Sequence, residues 1–325
     1  MDAKPFNVGV DVGGTNIKFG LTNEEGTILS RHSIRTAAKA GSFALIQSIL
    51  DNIELVLQRA DTTLSMVNSI GVGVPGTVDA RRGVVVFAPN IFMVNREIVK
   101  TIQAVYEVPV YVAQDTRAAA WGEYMAGAGR GLASIAIVTL GTGIGCGMVI
   151  DGKIFHGALN SAGEFGHQIV AIDGNPCNCG RRGCLEAHAG GPAIVREAME
   201  SISGLINLLG RSADAVSVED VFELARSGNR EARRITDGVV NHVGIGLVNL
   251  INIVSPELVS LGGGICNAPP ELLLNPLVEF VRRRAYPPIS ETIQICRSPL
   301  GDDAPLIGAA LLHKEASTYA AMEMN

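Results

Sequence analysis

The chain lacks the GxxxxGK[ST] sequence of a P-loop, so any nucleotide chemistry in it must rest on other loops. It is also short of positive charge. Its 26 Lys and Arg against 32 Asp and Glu leave a net charge of −6. The one basic run, Arg282-Arg283-Arg284, reads as a solvated helix face. A nucleic-acid partner, which needs clustered Lys and Arg, is therefore not expected. No uninterrupted apolar run reaches membrane-spanning length, so no membrane partner is expected either. Met1-Asp2-Ala3-Lys4 lacks the apolar core of a secretory signal. Cysteine is scarce: three of six cluster, while Cys146, Cys266 and Cys296 sit singly in apolar surroundings. That is a reducing-compartment pattern and not a disulfide framework. These absences predict a cytoplasmic protein. Low-complexity segments and long linkers are missing too.

What is present is a globular composition, 47% hydrophobic and 18% charged over 325 residues, a length that suits two domains. Two segments echo each other. Val8-Gly9-Val10-Asp11-Val12-Gly13-Gly14-Thr15-Asn16-Ile17-Lys18-Phe19-Gly20 reads as strand, glycine turn, strand. Ile135-Ala136-Ile137-Val138-Thr139-Leu140-Gly141-Thr142-Gly143-Ile144-Gly145-Cys146-Gly147 repeats the pattern. Because these glycines join strand to strand, they do not open a Rossmann unit. Two copies of one hairpin suggest a duplicated α/β domain with a nucleotide in the cleft between the copies. The boundary is expected near Val112-Ala113, giving a small domain of residues 1–113 plus 305–325 and a large one of 114–304.

Helices are expected between the strands. Ser42 caps one that carries Phe43, Ile46, Leu50, Ile53 and Leu57 on one face. Ser217-Val218-Glu219-Asp220 resembles a capping box, with Gly228 as the stop. Residues 230–251 read as a long, mostly buried helix in which Gly244 and Gly246 permit close packing. Leu258-Val259-Ser260-Leu261 is a buried strand running into Gly262-Gly263-Gly264-Ile265, and residues 305–323 form a last helix.

The densest chemistry lies in Cys177-Asn178-Cys179-Gly180-Arg181-Arg182-Gly183-Cys184-Leu185-Glu186, with Gly163-Glu164-Phe165-Gly166-His167 upstream. Three thiolates and one imidazole close a tetrahedral zinc site, leaving no position for a reactive water. The ligands would be His167, Cys177, Cys179 and Cys184, and the zinc would be structural. Reduced thiols in a loop, or a disulfide, are the alternatives. On the nucleotide side, Asp11 would hold Mg²⁺ through water, and glycines would let backbone N–H groups touch phosphate oxygens.

GEFGH followed by CxCGxxGCxE resembles the signature of the ROK family (repressors, open reading frames and sugar kinases), and the match is similar to that family's ATP-dependent glucokinases. The resemblance implies a two-domain, actin-like (ribonuclease-H-like) ATPase fold with an interdomain cleft. It implies phosphate contacts from Asp11, Gly13, Gly14, Thr15, Asn16 and Lys18, and a second cradle from Thr139, Gly141, Thr142 and Gly143. Gly263 and Gly264 would pass under the adenosine of ATP. Asp115, at a strand-to-helix junction, would be the catalytic base. Gly76, Asn90, Gln114, Asp115, Glu164, His167 and Glu186 would bind a hexose, with Val74-Pro75-Gly76-Thr77-Val78 as a backbone wall.

The resemblance further implies a homodimer and phosphorylation of the 6-hydroxyl. Three departures from the glucokinase pattern point away from glucose as best acceptor: Gln114-Asp115-Thr116-Arg117, Asn90-Ile91-Phe92-Met93-Val94, and His188. Arg117 is expected to add a cation near the acceptor. The alternative acceptors are N-acetylmannosamine, fructose, allose or an inositol. A repressor is disfavoured, because Phe6-Asn7-Val8 already enters the first strand and leaves no room for a helix-turn-helix. A non-catalytic sugar sensor is disfavoured by Asp115 and the intact glycine loops.

Overall fold

The computed structural model describes residues 4–36 and 41–316. The first sheet has the order β3-β2-β1-β4-β8, built from β1 (Phe6–Val12), β2 (Asn16–Asn23), β3 (Ile28–Arg35), β4 (Val67–Val74) and β8 (Val110–Gln114). A small antiparallel sheet holds β5 (Thr77–Asp79), β6 (Val84–Ala88) and β7 (Met93–Arg96). The third sheet runs β11-β10-β9-β12-β13, from β9 (Ile135–Leu140), β10 (Ile144–Ile150), β11 (Lys153–Ile154), β12 (Leu258–Gly262) and β13 (Gln294–Arg297). Both glycine-turn hairpins read from the sequence, β1–β2 and β9–β10, are present.

Alternation along β1 decides what each face of the first sheet meets. Val8, Val10 and Val12 join Leu45, Ile49 and Ile53 of the helix Ser42–Gln58 in one core. The opposite face carries a row of glycines, because Gly9 pairs with Gly20 on one side and Gly71 on the other. The helix Ala304–Ala310 lies directly on that row. A Cβ on Gly71 would stand 1.8 Å from the Ala309 carbonyl oxygen, and one on Gly9 would stand 2.3 Å from that of Leu306. No side chain fits at either position.

The chain folds into two compact units, Met1–Ile137 with Gly147–Ala162 and Ser298–Asn325, and Val138–Cys146 with Gly163–Arg297. This differs from the boundary expected at Val112-Ala113. The helix Asp115–Ala126 goes with the first unit because it packs on Ala304–Ala310. A Cβ on Gly308 would lie 1.7 Å from the Ala118 carbonyl oxygen, and Trp121 Nε1 donates to the Leu311 carbonyl at 2.8 Å. The expected last helix is broken at Leu311 and resumes to residue 316; its remainder lies outside the described residues.

The second unit is organised around the helix Arg230–Val254, where Gly244 faces the Phe280 ring and Gly246 faces Phe165 and Leu185. By length and composition this helix could cross a membrane. Its buried row, Ile235, Val239, Val243, Leu247 and Ile251, is that of a core helix. The helix Val218–Arg226 starts with the expected capping box, Ser217 and Asp220 bonding each other's backbone N–H. The helix Ser42–Gln58 corrects the sequence reading. Gly41 is its N-cap, Ser42 is a buried helical residue, and Phe43 is 81% exposed; Ile46, Leu50, Ile53 and Leu57 are buried as expected, joined by Leu45, Ile49 and Val56.

Candidate active site

In the first unit, β1 ends at Asp11 and Val12, and Asp11 is paired across the ladder with Lys18 and therefore shares its face. This settles the direction of Lys18, whose Nζ donates to the Asp302 carbonyl at 2.7 Å. The turn between β1 and β2 is closed by Gly13 N–H to the Asn16 carbonyl at 2.9 Å, and Thr36 Oγ1 donates to the Gly13 carbonyl at 2.7 Å. Gly14, Thr15 and Asn16 are left exposed. Asp11 itself is only 9% exposed. Burial pushes its carboxyl up to about 6, Lys18 opposes that, and the negative charges of Asp302 and Asp303 add to it. A buried carboxylate held in this way fits a hydrated divalent cation, which would supply the missing positive charge.

Asp115 opens the helix Asp115–Ala126 directly after β8, and its Oδ1 accepts from the Thr116 N–H at 2.7 Å. It is half-buried. Gln114, beside it, has a buried Oε1 with no hydrogen-bond partner among the described residues. Gly76 has φ 91°, and a Cβ there would meet the Phe87 carbonyl oxygen at 2.2 Å, so the wall at residues 74–78 requires glycine. Asn90 is exposed in the short turn Pro89–Ile91, and Phe92 after it takes φ 53°.

Arg117 is a correction. Its side chain is 1% exposed and donates from Nη2 to the carbonyls of Ala162, at 3.0 Å, and His156, at 3.4 Å. The cation is used inside the first unit to hold the loop after β11, and does not stand as a free charge beside an acceptor. A cavity of about 480 Å³ in the same unit, between Arg81, Val112, His156 and Glu315, contains none of the candidate site residues.

In the second unit, the turn between β9 and β10 is closed by Gly141 N–H to the Gly143 carbonyl at 3.0 Å, with Thr142 and Gly143 exposed and Thr139 half-buried behind them. Gly263, at φ 86°, passes so close that a Cβ would lie 2.4 Å from the Leu140 carbonyl oxygen. Next to it a cavity of about 260 Å³ opens between Gly264, Ile265 and Asn267 and the helix residues Val218, Glu219 and Phe222. The helix wall of this cavity was missed by sequence reasoning, which saw in residues 217–220 only a helix start.

The four candidate metal ligands come together. Cys177 Sγ lies 3.8 Å from His167 Nδ1 and Cys179 Sγ lies 3.6 Å from Cys184 Sγ, with all four ligand atoms within 4.8 Å of one another. A tetrahedron with zinc–sulfur bonds of about 2.3 Å has edges of about 3.8 Å, so the Cys177–His167 and Cys179–Cys184 separations are those of zinc ligands. The turn is made by Cys177 N–H to the Arg181 carbonyl at 2.8 Å, with Gly180 and Gly183 at positive φ. Burial, and then the neighbouring thiols, push Cys184 up to about 12, so metal entry must displace protons.

With Nδ1 facing the sulfurs, His167 Nε2 faces Glu164 Oε2 at 3.9 Å. Glu164 is exposed between the buried pair Phe165 and Gly166 and Gly163, which takes φ 95°. Glu186 begins the short helix Glu186–Ala189, and its Oε2 accepts from the Ile144 N–H at 2.9 Å. His188, one of the departures from the glucokinase pattern, has a structural role in the second unit. Its Nε2 accepts from the Asn175 N–H at 3.1 Å and its ring stacks on His242 at 4.5 Å, clamping the base of the cysteine loop.

The ROK family profile matches residues 7–316. A glucokinase of Thermotoga maritima is 36% identical over 313 residues, covering 95% of this chain and 97% of that protein. The structure of a ROK family glucokinase from Streptomyces griseus, in complex with glucose and AMPPNP, matches with TM-score 0.79 and 34% identity over 94% of this chain and 98% of the other. A ROK family transcriptional regulator, homologous to the E. coli MLC protein, matches with TM-score 0.83 and 25% identity over 95% of this chain and 78% of its own. The ROK sugar kinases have the actin-like ATPase fold, and the mixed α/β architecture described above is of that class. With a family profile spanning nearly the whole described chain and the cysteine–histidine cluster assembled as its signature requires, the chain belongs to the ROK family.

Proposed function

We propose that this chain is an ATP- and Mg²⁺-dependent kinase that phosphorylates a hydroxyl of a glucose-type hexose, the 6-hydroxyl, with Asp115 as general base. The observation that carries the reading is the likeness to glucokinases over 95% of the chain, together with Asp115 at the start of a helix directly after β8.

Phosphoryl transfer has a loose transition state, so positioning and charge neutralisation contribute most. Asp115 accepts a hydrogen bond from the acceptor hydroxyl, aligns it and takes its proton as the new O–P bond forms. The helix N-terminus is a favourable place for its negative charge. The exposed turn residues Gly14, Thr15 and Asn16, with Lys18, and the second cradle, in which Gly141 closes the turn and Thr139, Thr142 and Gly143 remain, offer donors to the phosphates. Gly264 lines the cavity of about 260 Å³ that would take adenosine, with Gly263 just before it in the chain. Asp11 would hold Mg²⁺, whose charge, when bound, draws electron density from the transferring group.

Gly76, Asn90, Gln114, Glu164, His167 and Glu186 bind the acceptor. His167, Cys177, Cys179 and Cys184 would hold zinc, which when bound would fix the His167 tautomer and leave its Nε2–H to donate. The buried placement of Arg117 removes the strongest reason to look beyond glucose. One observation still favours a second reading, the same chemistry on N-acetylmannosamine, allose, fructose or an inositol. Gln114 Oε1 is buried without a partner among the described residues and suits an additional donor on the acceptor. A homodimer in the cytoplasm belongs to the same reading; the dimer rests on the family alone and the location on the unpaired cysteines. Steady-state kinetics over that panel test the proposal. Glucose should lead, and a clearly higher specificity constant for another acceptor would select the second reading.

A further inference from the structure

The segment that follows the cysteine cluster is fastened to the glycine turn at 141–145 in two places. Glu186 Oε2 accepts from the Ile144 N–H at 2.9 Å, and the Gly191 N–H donates to the Gly141 carbonyl at 2.8 Å. The fit is close. A Cβ on Gly143 would stand 2.9 Å from the same Glu186 oxygen, and one on Gly190 would stand 3.3 Å from the Thr142 carbonyl oxygen. Glu186 is two residues from Cys184, and the Leu185 N–H between them donates to the Gln168 carbonyl at 2.8 Å, one residue beyond His167. All of these groups lie within the second unit.

The bond has a consequence for the loop. Two of its N–H groups are turned away from a ligand, Gly141 to the Gly143 carbonyl and Ile144 to Glu186, while Thr142 and Gly143 stay exposed at the tip. A carboxylate is a strong acceptor for a backbone N–H, and it has two oxygens. One holds the loop, which leaves the other for an acceptor hydroxyl.

We propose that Glu186 is a positioning residue for the phosphate loop as well as an acceptor ligand, so that nucleotide and sugar binding are coupled through its carboxylate. The proposal rests on the kinase reading above. Coupling of this kind is reciprocal: whatever sugar does to nucleotide affinity, nucleotide does to sugar affinity.

The test is calorimetric binding of Mg²⁺·AMPPNP to sugar-free, zinc-loaded wild type, Glu186→Ala and Glu186→Gln. Gln keeps a carbonyl oxygen for the Ile144 N–H and loses the charge, whereas Ala loses the bond. The Ala variant should bind AMPPNP at least ~10-fold more weakly, in line with loss of a charge-assisted hydrogen bond. The Gln variant should stay within about threefold of wild type, because its carbonyl replaces the bond in a weaker neutral form. Glucose should tighten AMPPNP in wild type and have no such effect in the Ala variant. Unchanged AMPPNP affinity in the sugar-free Ala variant would overturn the proposal while leaving the kinase reading intact. Equal weakening in Ala and Gln would overturn it too, because the bond to Ile144 would not be the cause. Wild type that binds no AMPPNP would overturn the kinase reading, and this proposal with it.

Discussion

Replacing Asp11 with Asn should stabilise the metal-free protein at neutral pH while abolishing turnover. In the folded chain its carboxyl is raised from 3.8 to about 6, chiefly by burial. A carboxyl whose folded pKa lies above its unfolded one binds the extra proton in the native state. The native state therefore loses stability as pH rises between about 4 and about 6, and carries the full cost above that window. A shift of about two units corresponds to about 3 kcal/mol at pH 7.5, and to about 1.5 kcal/mol at pH 5, where much of the native population is still protonated. Asn carries neither cost, so the stability gap between variant and wild type should widen from pH 5 to pH 7.5. Urea denaturation at both pH values, without added divalent cation, measures the gap. Millimolar Mg²⁺ with AMPPNP should narrow it by stabilising wild type alone. A variant no more stable than wild type at pH 7.5, or a gap that does not change with pH, would refute the reasoning that Asp11 is held ionised against burial for a cation.

Asp115→Asn should lower kcat by at least ~10²-fold with the circular dichroism spectrum and AMPPNP affinity unchanged; steady-state kinetics and calorimetry check both. Cys179→Ser should lose zinc by elemental analysis, with loss of thermal stability and sugar affinity together, because removing one of four ligands frees the metal that would tie Cys177, Cys179 and Cys184 to His167. Gly308→Ala should destabilise the fold by about 1–3 kcal/mol in chemical denaturation, since its Cβ would lie 1.7 Å from the Ala118 carbonyl oxygen and two helices must separate.

Features set by a local rule were legible in the sequence. A glycine turn between two β-branched runs gave both hairpins, β1–β2 and β9–β10, and Ser217 with Asp220 gave a helix start. The cysteine spacing gave a cysteine–histidine cluster able to hold a metal, because short loops leave few ways to arrange three sulfurs. What depended on distant segments was not legible. Phe43 has the right period for a core face, yet the sheet above it is filled from Leu45, Ile49 and Ile53. Arg117 looks like a site cation, but the carbonyls of His156 and Ala162, far along the chain, claim its guanidinium. The boundary moved because Gly122 and Gly308 let two helices approach to backbone contact, which no single segment reveals. The bond from Glu186 to Ile144 joins residues 42 apart and carries no local signal.

The central claim is phosphoryl transfer from ATP to a hexose at a site that uses Asp115. Its most direct test is ADP release by zinc-loaded wild type and Asp115→Asn with Mg²⁺·ATP and glucose, checked against the formation of hexose phosphate. Wild type should form one ADP per hexose phosphate, need Mg²⁺, and exceed the variant by at least ~10²-fold. Folded, zinc-loaded wild type that forms no hexose phosphate from glucose or any sugar of the panel, or a variant that turns over as fast as wild type, would contradict it.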